Sequence, residues 1–180
     1  VLGEDVTQTA PRIALALRQS AKNKAEQLAA QRKTSDWQQL AVQNIAQHAL
    51  SPVYITSFSG TRLDDIAKEV CMANVADQAR LGFAIAHEID PNSPAVPNLS
   101  LDAFVWVKSV AADLLAAEQP LVVAGTSAAS EELLQAAANI VQALLIRGKK
   151  AAITLVVPEV NSLGVSLLGG QDLDAALNAL

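Results

Sequence analysis

The stretch PLVVAGTSAASEELLQAAANIVQALLIRGKKAAITLVVP, residues 120–158, decides the fold. It opens on a short β-branched run, Leu121 to Ala124, bounded by Pro120 and Gly125, which reads as a strand. From Glu131 to Arg147 apolar residues recur at helical spacing. Leu133, Ala137, Ile140 and Leu144 form one row, and Leu134, Ala138, Val141 and Leu145 the next, a stripe wide enough to predict heavy burial. Gly148 stops this helix, and Arg147 favours its negative end. Ala151 to Pro158 then reads as a second strand. Both strands are continuously apolar, as in a parallel sheet covered on both faces, and a strand–helix–strand run joins parallel neighbours by a right-handed crossover.

Working outward, PVYITSF at 52–58 reads as another strand. Val1-Leu2-Gly3 reads as the last residues of one more. It has no initiator Met and is shorter than a buried strand usually is, so the chain is expected to be a piece excised from a longer protein. A cut strand of this kind, or a neighbouring edge, is expected to pair with a second copy. Helical spacing links Ile13, Leu17, Ala21, Ala25 and Leu28, and again Trp37, Leu40, Ala41 and Ile45 after a Ser35/Asp36 cap signal. Thr61 with Asp64 and Asp65 resembles an acidic capping box opening a helix through Ile66, Ala67 and Val70. Helices are also expected from Asn74 to Glu88 and from Leu101 to Ala117, with a proline-rich loop between them, and Asp172 should cap a last short helix. The expectation is one α/β domain over residues 1–180: a doubly wound, mainly parallel sheet of about four strands with helices on both faces.

Composition narrows the chemistry. Apolar residues make up 51% of the chain and aromatics 3%, so the core is built from Ala, Val, Leu and Ile. Cys71 is the single cysteine, which excludes an internal disulfide, a thiolate zinc site and an iron–sulfur cluster held by this chain alone. No apolar run reaches the length of a membrane span. Charge is uneven: Arg12, Arg18, Lys22, Lys24, Arg32 and Lys33 against Glu26 alone give a segment of +5 in a chain of −5, leaving −10 elsewhere. That segment reads first as a solvated helix face and second as a surface that docks on an acidic partner. The acidic remainder would repel phosphate, which argues against nucleic acid, and the apolar face of the basic segment lacks aromatic membrane anchors.

In open parallel sheets ligands sit beyond the carboxyl ends of the strands. Those ends carry Glu4 and Asp5; Ser57, Ser59 and Gly60; Gly125, Thr126 and Ser127; and Asn161, Ser162 and Gly164. Gly125, Thr126, Ser127 and Asn161 are the candidates for holding a pterin or nucleotide at a helix N-terminus. Against this stand the absence of a GxGxxG or P-loop pattern and the acids Glu4, Asp5 and Glu159 at the same rim, with no Lys or Arg in those loops. Turn formation and capping are the plainer roles. His87-Glu88 begins like a zinc-protease motif, but Pro91 stands where the second histidine is needed. His48 and His87 therefore read as partly buried or surface helix residues, and Cys71 as a small hydrophobe on a helical face beside Val70 and Met72. No catalytic residue and no metal ligand is assigned.

Five stretches carry a resemblance over nearly the whole chain: LGEDVTQT at 2–9, TRLDDIA at 61–67, DQARLGFAIAH at 77–87, QAAAN at 135–139 and NSLG at 161–164. They resemble the G-subunit family of bacterial NADH-quinone oxidoreductases (respiratory complex I), in its C-terminal part, which is similar to molybdopterin-dependent oxidoreductases. The resemblance implies a molybdopterin oxidoreductase-like fold whose strand ends face a pterin in the wider superfamily and have lost it here. It implies a structural piece of the hydrophilic arm that passes electrons from NADH to quinone, on the cytoplasmic face of the inner membrane. Its partners would be the rest of its parent chain and other hydrophilic-arm subunits. Iron–sulfur clusters belong, by the same resemblance, to the parent subunit, and none of their cysteines lies in this sequence. The alternative is a pterin- or nucleotide-binding domain of a molybdopterin-type oxidoreductase.

Overall fold

In the computed structural model the described residues are 1–157, 159–170 and 173–178. Pro158, the expected end of the last strand, and Asp172, the expected cap of the last helix, lie outside them. Two parallel pairs form the sheet: β1 (Tyr54–Ser57) with β2 (Glu69–Met72), and β3 (Leu121–Gly125) with β4 (Ala152–Val156). Leu2 bridges them, pairing in parallel with Thr56 on one side and Ala124 on the other. Its amide donates to Val123 O at 2.7 Å, and the amide of Thr56 donates to Val1 O at 3.0 Å. The N-terminal stub expected to leave a sticky edge is thus at the centre of the sheet. The outer strands are β2 and β4.

Alternation along the strands separates two cores. Tyr54, Val122 and Ala124 face the larger, built with α5 (Val75–Ile89), α6 (Leu101–Ala116) and α7 (Glu131–Ile146). Ile55, Val123 and Val156 face the smaller, built with α1 (Val6–Thr9), α2 (Pro11–Ala21) and Leu63. Helices therefore cover both faces, as a doubly wound sheet requires. On the large side, α5 and α7 approach so closely that a Cβ on Gly82 would meet the Cβ of Ala136 at 2.8 Å. Two basic side chains tie the helix ends together where the dipoles are negative. Arg147 donates Nε to Ile89 O at 2.7 Å, and Lys149 donates Nζ to Ala117 O at 3.2 Å. Arg147 thus serves the end of α5 as well as following its own helix.

Four expectations need correction. The Thr61–Asp64 box forms, with Thr61 Oγ1 donating to Asp64 Oδ1 at 2.6 Å, but it holds only a 3₁₀ turn, Asp64–Ile66. Ala67 is already extended, and the chain continues into β2, so Val70, Cys71 and Met72 lie on a strand and not on a helical face. The basic segment breaks into α2 and α3 (Asn23–Gln31), because Ser51 takes over the bonding at the break. Its amide donates to Ala21 O at 2.7 Å, and its hydroxyl accepts from Lys24 N at 3.1 Å. The following helix, α4 (Gln39–Ala46), starts later than the Ser35/Asp36 signal and leaves Trp37 and Leu40 exposed. Finally, β4 is largely exposed, with Leu155 at 54%, although its continuous apolar sequence predicts cover, and Leu145 is at 54%, although the wide stripe of α7 predicts its burial. Beyond β4 lie α8 (Ser162–Leu168) and α9 (Leu173–Asn178).

Candidate functional site

The sheet brings the carboxyl end of the Leu2 stub beside that of β3, so Glu4 and Gly125 meet where a doubly wound sheet holds its ligand. Glu4 is 1% exposed. Its carboxylate accepts from Thr9 Oγ1 at 2.6 Å, from Ser127 Oγ at 2.7 Å and from the Ser127 amide at 3.4 Å. These bonds replace the water that a buried carboxylate would otherwise need. Gly125 makes room for it: a Cβ there would fall 2.1 Å from Glu4 Oε2 and 2.5 Å from its Cδ. Behind the carboxylate, Gly3 runs at φ +68°, a conformation that favours glycine, and a Cβ there would strike Leu133 Cδ1 at 2.3 Å.

The remaining strand-end residues are likewise engaged. Asp5 caps α1, accepting from Thr7 N at 3.0 Å and Thr7 Oγ1 at 2.6 Å. Ser57 Oγ turns onto its own loop, donating to Ser59 O at 2.6 Å, and Gly60 lies beside Asp64. The Thr126 amide extends the β3–β4 pairing by donating to Val156 O at 3.0 Å. Asn161 stands at the start of α8, its side chain close over Gly164, and Ser162 donates to Glu159 Oε2 at 2.8 Å. Among the described residues no hydrogen bond joins Asn161 to Gly125, Thr126 or Ser127. The structure therefore unites Gly125 and Ser127 around Glu4 and leaves Thr126 and Asn161 in local roles.

Helix N-termini near the sheet are also occupied by the chain's own groups. Asn74 caps α5 with Asp77 in its first turn, Ser100 caps α6 with Asp102, and Ser130 caps α7 with Glu131 and Glu132. Hydrogen bonds from its own backbone amide and from Ser130 hold the Glu132 carboxyl below its ordinary range. Acids at these positions already satisfy the positive helix ends and would repel phosphate.

Sequence reasoning missed three members of the site: Thr9, Thr56 and Gln78. Gly3 N donates to Thr56 Oγ1 at 3.1 Å, Thr56 Oγ1 donates to Gln78 Oε1 at 2.9 Å, and Gln78 Nε2 donates to Ala73 O at 2.8 Å. Gln78 is 1% exposed. The signal available was a glutamine on the otherwise apolar inward row of a helix, beside Ala79 and Gly82.

The other candidates lie apart. His87 is on α5, its Nδ1 2.6 Å from Ser93 O, at the rim of a cleft of about 510 Å³ floored by Ala84, Val96, Leu99 and Phe104. His48 lies just past the end of α4 at φ +66° and is exposed. Cys71 is half-buried on β2, and burial pushes its thiol up, away from the reactive thiolate. Among the described residues no group of three or more His, Cys, Asp or Glu side chains is placed to hold a metal ion.

No protein-family model matches the chain. Over all 180 residues it is 54% identical to the G subunit of NADH-quinone oxidoreductase from Pseudomonas putida. It is 48% identical to the same subunit from Salmonella typhimurium and 47% identical to that from Escherichia coli K12. Each match takes in the whole chain and 20% of the relative, so the chain spans about a fifth of the length of these curated proteins.

Proposed function

We propose that the chain, which over its whole length matches a fifth of the G subunit of NADH-quinone oxidoreductase, is a non-catalytic structural domain of that electron-transfer subunit. It acts by packing: it supports the electron-carrying remainder of its parent chain and neighbouring subunits of the hydrophilic arm. The iron–sulfur clusters sit elsewhere in the parent subunit, and the assembly lies at the cytoplasmic face of the bacterial inner membrane. Among the described residues no helix is long and apolar enough to cross a membrane.

The observation that carries this reading is Glu4. At the strand ends, where a sheet of this kind holds a ligand, the chain's own buried carboxylate is held by Thr9 and Ser127 and fitted over Gly125. A pterin or nucleotide would have to expel a buried, hydrogen-bonded carboxylate and then set its phosphates against helix ends that carry acids.

The test is a thermal-shift titration of the chain with molybdopterin guanine dinucleotide, NADH, GTP and FAD. The expected result is an unchanged melting temperature with each. A concentration-dependent rise would overturn the reading in favour of a cofactor-binding domain, since a ligand at a hundred times its Kd stabilises the native state by about 2.7 kcal/mol.

A further inference from the structure

On the side of the sheet bearing α1 and α2, the helices α2, α3 and α4 form a lobe whose surface chemistry differs from the rest of the chain. Of its six basic residues, Arg18 is used internally. It forms a two-pronged ion pair with Asp65, both contacts at 2.8 Å, and also reaches Arg62 O. Arg12, Lys22, Lys24, Arg32 and Lys33 are exposed and have no ion pair among the described residues. Exposed apolar side chains accompany them: Leu15, Trp37 at 75% and Leu40 at 78%. Between α3 and α4 lies a cleft of about 350 Å³ with Ala25, Val42 and Ala46 on its floor and Lys22 and Glu26 on its rim.

We propose that this lobe is a docking surface for an acidic protein segment, which sets its carboxylates against the α2–α3 cations and an apolar side chain into the α3–α4 cleft. Charge complementarity selects an acidic partner, because these five exposed cations fall between residues 12 and 33 and none of them has an ion pair among the described residues. The cleft selects a protein over a lipid surface. A concave site of this size accepts a protruding side chain, and a bilayer presents none. Its rim also carries Glu26, Gln39 and Gln43, which an anionic headgroup layer would not favour. Exposed Trp37 and Arg32 belong to the residue types enriched at protein interfaces. The inference rests on the reading of this domain as one that acts by packing. It is separable from it, because ligand shifts test the crevice at Glu4 and the following experiment tests only the lobe.

The experiment uses the assembled oxidoreductase containing the full-length parent chain. A zero-length carbodiimide joins lysine amines to carboxylates in direct contact. The expected result is that Lys22, Lys24 and Lys33 cross-link to Asp or Glu residues outside these 180 residues, with a yield that falls as salt rises from 0.15 M to 1 M and the screening length shrinks from about 8 Å to about 3 Å. The parent chain carrying Lys22→Glu, Lys24→Glu and Lys33→Glu should lose those links and hold its partner roughly tenfold less tightly. All three side chains are exposed, so the variant's melting temperature should stay within a few degrees of the parent's. Cross-links confined to the lobe's own Glu26 and Asp36, no cross-links from these lysines, or a triple variant that assembles as tightly as the parent would each overturn the proposal. Salt-sensitive binding to phosphatidylglycerol vesicles, lost in the triple variant and unaccompanied by protein cross-links, would overturn it in favour of a lipid partner.

Discussion

The α5–α7 seam and the α3–α4 lobe are both alanine-rich pairs of helices, yet one is a core and the other a surface. In the seam, Leu81, Ile85 and Ile89 of α5 and Leu133, Ile140 and Leu144 of α7 are buried in one cluster, and Gly82 and Ala136 let the backbones close in. In the lobe, α3 buries only Ala29, and α4 buries only Val42 and Ala46. Alanine by itself brings helices together but buries little area. What makes a core is a large aliphatic side chain on each turn of the inward row and no charge among them. The lobe lacks the first and interrupts the second with Lys22 and Glu26.

The most forceful way to break that contrast is to remove a large side chain from the seam. Leu144→Ala, at a fully buried position, should cost about 2–5 kcal/mol in urea unfolding, because α7 is held between α5 and the sheet and cannot collapse onto the space left. Val42→Ala in the lobe removes less and sits under a cleft, so it should cost about 1 kcal/mol. Equal losses at the two positions would show that the lobe is as tightly packed as the seam.

Next in size is the Glu4 crevice, which joins the two cores through the Leu2 stub. Gly125→Ala drives a methyl into the Glu4 carboxylate and should cost about 1–3 kcal/mol. In a Glu4→Ala background the same change should cost much less, because the obstructing atoms are gone. A double-mutant cycle measured by chemical denaturation reads this coupling directly. Additive losses would mean that Gly125 is constrained by something other than Glu4.

The large features were legible in the sequence because each repeats a simple signal. The runs at 52–58, 120–125 and 151–158 yield β1, β3 and β4, and the spacing from Glu131 to Arg147 yields α7 within a residue. The strand β2 was not legible: Glu69 to Met72 is too short to show its own period, and the Thr61 box upstream announces a helix that lasts one turn. The break at Lys22 was invisible because Ser51, the residue that makes it, lies far along the chain. At the site, the acids at the strand ends could be read as unfavourable to phosphate, against the hydroxyls and glycines that would favour it. That Glu4 enters the crevice over Gly125 depends on the stub lying at the sheet's centre, which follows from pairing on both sides and not from any property of residues 1–4.

A smaller effect is expected where α6 meets the sheet. Tyr54 OH donates to Asp113 Oδ2 at 2.6 Å, and Lys68 Nζ donates to the same oxygen at 2.7 Å. Burial works to raise the Asp113 carboxyl, but the bonds from Lys68 and Tyr54 outweigh it and hold the group below its ordinary value. A carboxyl depressed in the folded state contributes stability that is present above its unfolded pKa of about 3.9 and is lost as pH falls through the folded value. Asp113→Asn should therefore cost about 1 kcal/mol at neutral pH and flatten the acid limb of the stability–pH curve below about pH 4. An unchanged acid limb would mean that Lys68 and Tyr54 do not hold this carboxylate in solution.

The smallest effect on stability should come from the most conspicuous exposed side chain. Trp37 is in the link before α4, and its amide donates to Asp36 Oδ1 at 2.8 Å, a backbone bond that serine would keep. Trp37→Ser should therefore change unfolding free energy by no more than about 0.5 kcal/mol. A loss above about 1 kcal/mol would show that the ring packs on the lobe and would move the α3–α4 surface toward the seam's side of the comparison. If stability holds while the assembled parent chain releases more easily, the tryptophan's contribution lies in contact with a partner. The contrast between the two helix pairs then becomes one between a surface that folds the chain and a surface that joins it to others.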